Sequence, residues 1–231
     1  MPPARGNQTA PARILFRDRD LRNRCVLPTA HAPGGRAVPD GRTEPVTDRP
    51  EFVFPATVSL TGQGLRLRQW TEADVPELPG LFDDGEVAHW TPLASPFGPD
   101  DAREYVTRAN ERAADGTRIQ LAITTDGSWP LGEVGAFGVH TGPPGVSIEL
   151  GYVVGRAHRG HRLAVRALTL LTEYAHEELG AYRTVLNIER DNAASNGVAR
   201  SAGYQLTRDQ PLTREHRGRL AELRIWQRLA A

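Results

Sequence analysis

Three consecutive segments between residues 146 and 180 constrain the fold more than anything else in the chain. Val146 to Val154 reads Val-Ser-Ile-Glu-Leu-Gly-Tyr-Val-Val, the composition of a strand. Arg156 to Arg162 follows as a basic turn that contains Gly160. Leu163, Ala164, Ala167, Leu168, Leu171, Tyr174, Ala175 and Leu179 then recur on one helical face, and Gly180 is placed as a C-terminal cap. The spacing predicts a helix starting at about Gly160. The first amides of such a helix have no intrahelical partner, and with the helix dipole they form a site for phosphate. Arg156, Arg159 and Arg162 add positive charge there, and Gly160 permits a ligand to approach the backbone. A solvated basic loop is the other reading of the same residues. The three-glycine dinucleotide fingerprint and the Gly-Lys-Ser/Thr ending of a P-loop are absent, which argues against NAD and ATP.

Around this unit the chain reads as a mixed α/β domain over residues 57–231. Residues 57–70 predict a hairpin entering the first main strand. Thr71 is placed to cap a helix running to about Phe82, and residues 83–85 break it before a short turn at residues 86–90. Asp100 or Asp101 opens a helix ending near Gly116, and strands follow at residues 118–125 and 131–140. After the central helix come a strand at residues 182–188 and a last helix capped by Asp191 or Asn192. Closing strands at residues 204–207 and 221–229 complete the domain.

Composition narrows the function. Formal net charge is zero, so nothing electrostatic points to nucleic acid or an acidic membrane as partner. All 28 basic residues are Arg, so no Lys can serve as a base. Cys25 is the single cysteine, which rules out an intrachain disulfide and a thiolate zinc cluster and fits a reducing cytoplasm. His89, His140, His158 and His161 show no metal-ligand spacing, and no metal is expected. No apolar run approaches the roughly 20 residues that cross a bilayer, and no signal peptide is expected. Residues 1–50, rich in Pro, Gly and Arg, form an expected separate segment with too little apolar surface to offset the entropy of ordering. A disordered tail, a start-site artefact at a codon such as that of Val46, and a basic arm are the alternatives for it.

Four motifs in order carry a resemblance: Glu149-Leu150-Gly151-Tyr152-Val153-Val154, Arg159-Gly160-His161-Arg162-Leu163-Ala164, Asp191-Asn192-Ala193-Ala194-Ser195 and Ala202-Gly203-Tyr204. Together with Leu65 to Asp74, they resemble the GNAT superfamily of N-acetyltransferases, in its RimJ/RimL-like branch, over about residues 65–229. The resemblance implies a mixed, mostly antiparallel seven-stranded sheet flanked by about four helices and splayed at its fourth strand, with acetyl-CoA in the gap. It implies that backbone groups of Tyr152, Val153 and Val154 meet the pantetheine arm. The amides of Arg159, Gly160, His161, Arg162, Leu163 and Ala164 hold the pyrophosphate, and Asn192 and Ser195 lie near the thioester. Two residues depart from the family pattern: Arg162 stands where a second loop Gly is usual, and Ala199 stands where many members carry a catalytic Tyr.

The expected reaction is acetyl transfer to a primary amine, a protein N-terminus or a small molecule, by direct attack in a ternary complex. Glu149 is the candidate base, and whether it faces the cleft is a period-two question that the sequence leaves open. A solvent-facing carboxylate is the structural alternative. Ser195 is the candidate donor to the departing sulfur; otherwise it is an ordinary first-turn residue behind an Asn192 cap. Trp90 falls where the family builds its acceptor pocket, and a packing aromatic accounts for it equally well. The departures at Arg162 and Ala199 motivate the rival reading of a non-catalytic acyl-CoA-binding regulatory protein. A homodimer is the expected assembly.

Overall fold

A computed structural model describes residues 52–231, so the expectations for residues 1–50 lie outside the described residues. The strands are β1 (Leu60–Gly62), β2 (Leu65–Gln69), β3 (Ile119–Thr124), β4 (Gly132–His140), β5 (Val146–Val154), β6 (Ala181–Glu189), β7 (Gln205–Leu206), β8 (Leu212–His216) and β9 (Arg219–Leu229). The α-helices are α1 (Leu78–Phe82), α2 (Gly85–Trp90), α3 (Pro99–Ala114), α4 (Leu163–Glu177) and α5 (Ala193–Ser201). The order across the sheet is β1-β2-β3-β4-β5-β6-β9-β7, with β8 also on β9. All neighbours are antiparallel except β5 and β6.

Alternation along the strands builds two cores. Leu121, Ile123, Val134, Ala136, Ile148, Leu150, Leu186 and Ile188 bury one face of the sheet against Leu163, Ala167, Leu168, Leu171 and Ala175 of α4. Leu168 and Leu171 are fully buried, and each such side chain contributes about 1.5–3 kcal/mol. The opposite face, including Ala122 and Val153, packs under Trp70, Leu78, Leu81, Phe82, Phe97 and Val106. Phe54 joins the first core, and its amide donates to the Gly116 carbonyl at 2.8 Å.

Three differences from the sequence reading have local causes. The helix expected from Thr71 to Phe82 is a 3-10 segment, Glu72–Glu77, followed by the short α1. Pro76 lies inside that segment and Pro79 in the first turn of α1, and each removes an amide donor. Helix α4 starts at Leu163 rather than Gly160, because residues 156–158 form a 3-10 turn and Arg162 is left-handed. Among the described residues nine strands occur where the resemblance implies seven: β1 is three residues long, and β8 occupies what reads as a loop. The β8–β9 hairpin turns on Arg217 and Gly218, with φ of 50° and 73°. Two positive φ values at a two-residue hairpin loop define the primed turn that matches strand twist, and Gly218 makes the second inexpensive.

Candidate active site

The register of β5 and β6 places the opening in the sheet. Their parallel pairing runs from Val146 opposite Ala181 to Glu149 opposite Val185 and then stops. Beyond that point β5 continues against β4 as far as Val154 opposite Gly132, and β6 continues against β9. Leu150 to Val154 therefore turn one edge toward a gap with no strand in it. The carbonyl of Val154 accepts from Arg159 Nε at 3.2 Å. The Tyr152 side chain reaches toward α5, where its hydroxyl donates to the Ser195 carbonyl at 3.3 Å. Burial pushes the Tyr152 phenol up to about 12.

At the end of this edge stands the basic turn. Gly160 and Arg162 have φ of 85° and 57°. The Arg162 side chain makes no capping bond to α4, so no side chain of the cap takes the first amides of that helix. Arg162 holds a conformation that costs a non-glycine residue about 1–2 kcal/mol, at the place where the family usually has Gly. Arg156, Arg159, Gly160, His161 and Arg162 are exposed and Leu163 is buried. The Arg159 guanidinium is turned sideways onto Asp84, at 3.0 Å. Asp84 caps α2 by accepting from the amides of Glu86 and Val87 at 3.0 and 3.1 Å. Burial pushes the Asp84 carboxyl up, but the Arg159 guanidinium and the two amides outweigh it and hold it below the ordinary range.

Glu149 is the last paired residue before the fork. Its neighbours Ile148 and Leu150 both face α4, so alternation points Glu149 to the α3 side. Asn187, set between Leu186 and Ile188, faces the same way and favours the charged form of the Glu149 carboxyl. A bulge between Phe137 and Val139 in β4 makes room for it; a Cβ on Gly138 would lie 3.2 Å from Glu149 Oε2. Burial raises the pKa of Glu149, and Arg214, Asn187, His140 and Arg118 moderate the rise. Arg214 of β8 approaches Glu149 Oε1 at 3.7 Å.

Ser195 lies in the first turn of α5, on the α4 side of the sheet. Asn192 caps this helix by accepting from the Ser195 amide at 2.9 Å. Glu149 and Ser195 thus border the gap from opposite faces. Ala199 is fully buried and offers no reactive group. Trp90 lies apart from both residues, with its indole donating to Glu86 Oε2 at 2.8 Å and its ring edge-on to His89.

Sequence reasoning missed Arg214, Asn187, Asn196 and a carboxylate cluster beside the cleft. Asn196 Nδ2 donates to the carbonyls of Glu189, Arg190 and Asn192, while its Oδ1 accepts from Trp226 Nε1. In the cluster, Glu133 accepts from Trp70 Nε1 at 2.7 Å and from the Tyr105 hydroxyl at 2.7 and 2.8 Å. Gln120 Nε2 donates to Tyr105, and Gln120 Oε1 has no partner. Burial pushes the Glu133 carboxyl above the ordinary range, against the pull of Tyr105, Trp70, Gln120 and Arg118. The folded state therefore holds this proton more tightly than the unfolded chain. Its contribution to stability is present below the ordinary carboxylate pKa and lost as pH rises through the folded value. Glu133→Gln, which removes the buried titrating group, is expected to be at least as stable as the parent at neutral pH. It should also show a flatter stability profile in urea unfolding between about pH 5 and 8. Lower stability than the parent at both ends of that range would contradict this account.

Among the described residues no helix is long and apolar enough to cross a membrane, and no group of three or more His, Cys, Asp or Glu could hold a metal ion.

A parallel strand pair that parts midway, beside a helix with uncapped leading amides, is the architecture of acetyl-CoA-dependent N-acetyltransferases. Residues 64–205, more than half of the chain, match the model for the acetyltransferase (GNAT) domain, and the protein belongs to that family. Its cosubstrate is acetyl-CoA. Solved structures similar in fold include Mycobacterium smegmatis RimJ in complex with CoA-disulfide, with TM-score 0.65 and 18% identity over 77% of this chain and 90% of that one. Another is apo RimL, the ribosomal L7/L12 α-N-protein acetyltransferase, with TM-score 0.64 and 17% identity over 75% and 94%. A GNAT-family acetyltransferase from Bacillus anthracis gives TM-score 0.62 and 15% identity over 74% and 98%. No curated protein sequence matches the chain significantly.

Proposed function

We propose that the protein transfers the acetyl group of acetyl-CoA to a primary amine by direct attack in a ternary complex, with Glu149 as base and Ser195 as acid. The fork immediately after Glu149 carries this reading, because it sets a buried carboxylate at the mouth of the gap. The uncapped amides at Leu163 and Ala164, with Gly160, His161 and the backbone of Arg159 and Arg162, fit a diphosphate. The free edge of Tyr152 and Val153 fits the amide-bearing pantetheine arm; at Val154 the carbonyl is already engaged by Arg159. Asn192 keeps Ser195 at the α5 end of the gap. Trp90, on the acceptor side, remains a candidate to contact the amine substrate.

Acetyl-CoA supplies an activated acyl group. Glu149 takes one proton from the acceptor ammonium, which frees the nitrogen lone pair. The nitrogen bonds to the acyl carbon as the carbon–sulfur bond breaks. Backbone amides on the free β5 edge stabilise charge on the carbonyl oxygen. The Ser195 hydroxyl protonates the sulfur, and the second amine proton restores the hydroxyl. Protein N-termini and small-molecule amines are both acceptors of this chemistry; RimL, similar in fold, is an α-N-protein acetyltransferase.

The test pairs calorimetry with turnover. Binding of coenzyme A, with thiol released from acetyl-CoA only when an amine is present, is the expected result. Binding without thiol release across amino acids, polyamines and peptides would leave a non-catalytic acyl-CoA-binding role. No binding at all would remove the enzymatic reading.

A further inference from the structure

The groups around Glu149 determine which amines can reach it. From β3 and the residue before it, Arg118 stacks over the Phe137 ring, 5.1 Å from its centroid, and Phe137 lies directly opposite Glu149 in the register. Arg118 also acts on Glu133, so its charge is shared between two carboxylates. From β4, His140 adds a titratable group at the exposed end of the strand. From β6 comes the neutral Asn187. From β8 comes Arg214, whose only ion pair among the described residues is with Glu149.

That pair is loose. At 3.7 Å it exceeds a hydrogen bond, and the Arg214 side chain is 55% exposed while that of Glu149 is 17% exposed. Most of the guanidinium donors are therefore left without a protein partner from Glu149 and open to solvent. The β8–β9 hairpin fixes this position: Arg214 pairs with Ala221, and Arg217 at the turn donates to the Leu93 carbonyl beyond α2. A hairpin held at both its strand and its tip presents Arg214 as part of the acceptor wall.

Charge balance then selects the substrate. A simple ammonium entering beside Glu149 also comes within a few ångströms of the guanidinium and is repelled by it. Once Glu149 takes the proton, Arg214 loses its counterion altogether. An acceptor that brings its own carboxylate removes both penalties, because a planar guanidinium binds carboxylate through paired hydrogen bonds.

We infer that Arg214 is a specificity-determining residue that binds the carboxylate of a zwitterionic acceptor, an amino acid with its amine one or two carbons from the acid. This inference rests on the acetyl-transfer reading above. The short separation between Arg214 and Glu149 matches the short separation of amine and acid in such a molecule. Polyamines and aminoglycosides, which bring only positive charge, are disfavoured at the same wall.

Steady-state kinetics with free amino acids, the corresponding amino acid amides, spermidine, and peptides with acidic or neutral first residues test the inference. The parent protein should prefer the free acids over their amides by about 10- to 100-fold in kcat/KM, the range of a charge-assisted hydrogen bond. Arg214→Gln should raise KM for the acids by a similar factor and should lower or leave unraised the KM for the amides, which lose only the repulsion of the guanidinium. In the same variant the acidic limb of the pH–rate profile should move to higher pH, because Glu149 loses a stabilising cation; a scaffold role alone does not move it. Arg214→Lys should restore the position of that limb. Equal or better turnover of amides, spermidine or neutral peptides overturns the inference while leaving acetyl transfer intact. If peptides with an acidic first residue are acetylated and free amino acids are not, the small-molecule assignment is overturned. Coenzyme A binding with no amine acetylated overturns the transfer reading, and this inference with it.

Discussion

Glu149→Gln is expected to lower kcat by about 10²- to 10⁴-fold, the usual contribution of a positioned base, while calorimetric affinity for coenzyme A stays unchanged. The two effects separate because Glu149 faces the α3 side at the fork, whereas the uncapped amides begin at Leu163. Glutamine keeps the shape and the contact with Asn187 but cannot take a proton. The pH dependence has a definite sign. Base catalysis requires the carboxylate, so the rate rises as Glu149 ionises. Burial places that limb above the ordinary carboxylate range even with Arg214, Asn187, His140 and Arg118 opposing. In the Gln variant the limb should vanish, and an unchanged profile would remove Glu149 from the mechanism.

Asn196→Ala is expected to destabilise the protein by about 2–4 kcal/mol, since it strips Trp226 Nε1 of its acceptor and removes a side-chain donor from the end of β6 in a region only 5% exposed at that residue. Trp226 Nε1 loses its acceptor at 2.9 Å and the Arg190 carbonyl loses its side-chain donor, while the carbonyls of Glu189 and Asn192 keep backbone amide donors. For a domain of this size the melting temperature should fall by about 5–15 °C. Asn196→Asp keeps an acceptor for Trp226 but turns a carboxylate oxygen onto the carbonyls that Nδ2 served, so its loss should be at least as large. Because Asn196 ties α5 to the end of β6, activity should fall as well at temperatures where the variant remains folded. A melting temperature within about 2 °C of the parent would show that these bonds are replaced by water.

Much of the fold was legible because its signals are local. The strand at residues 146–154 shows β composition and occurs with those bounds, and the apolar face of α4 repeats at helical spacing. The start of α4 was less legible. Amphipathic spacing cannot register a left-handed Arg162, which ends helical geometry one residue before the apolar face begins. The site was legible only where motifs carried it. The direction of Glu149 became definite through the burial of Ile148 and Leu150, a property of the whole sheet. Glu133 was invisible because its partners Trp70 and Tyr105 lie 63 and 28 residues away in the chain. Arg214 was missed with its strand: Leu212–His216 is mostly exposed and lacks apolar alternation, and its turn, Arg217-Gly218, lacks the Asn or Asp that signals a hairpin.

The ion pair between Asp84 and Arg159 gives one carboxylate two employers. It anchors the opening of α2 and also restrains Arg159 within the basic turn. Any anion that draws Arg159 toward itself leaves Asp84 with its amide bonds alone and loosens the tie between α2 and the turn before α4. The footing of α2 and the basic turn thereby share a single guanidinium, and removing it releases both at once.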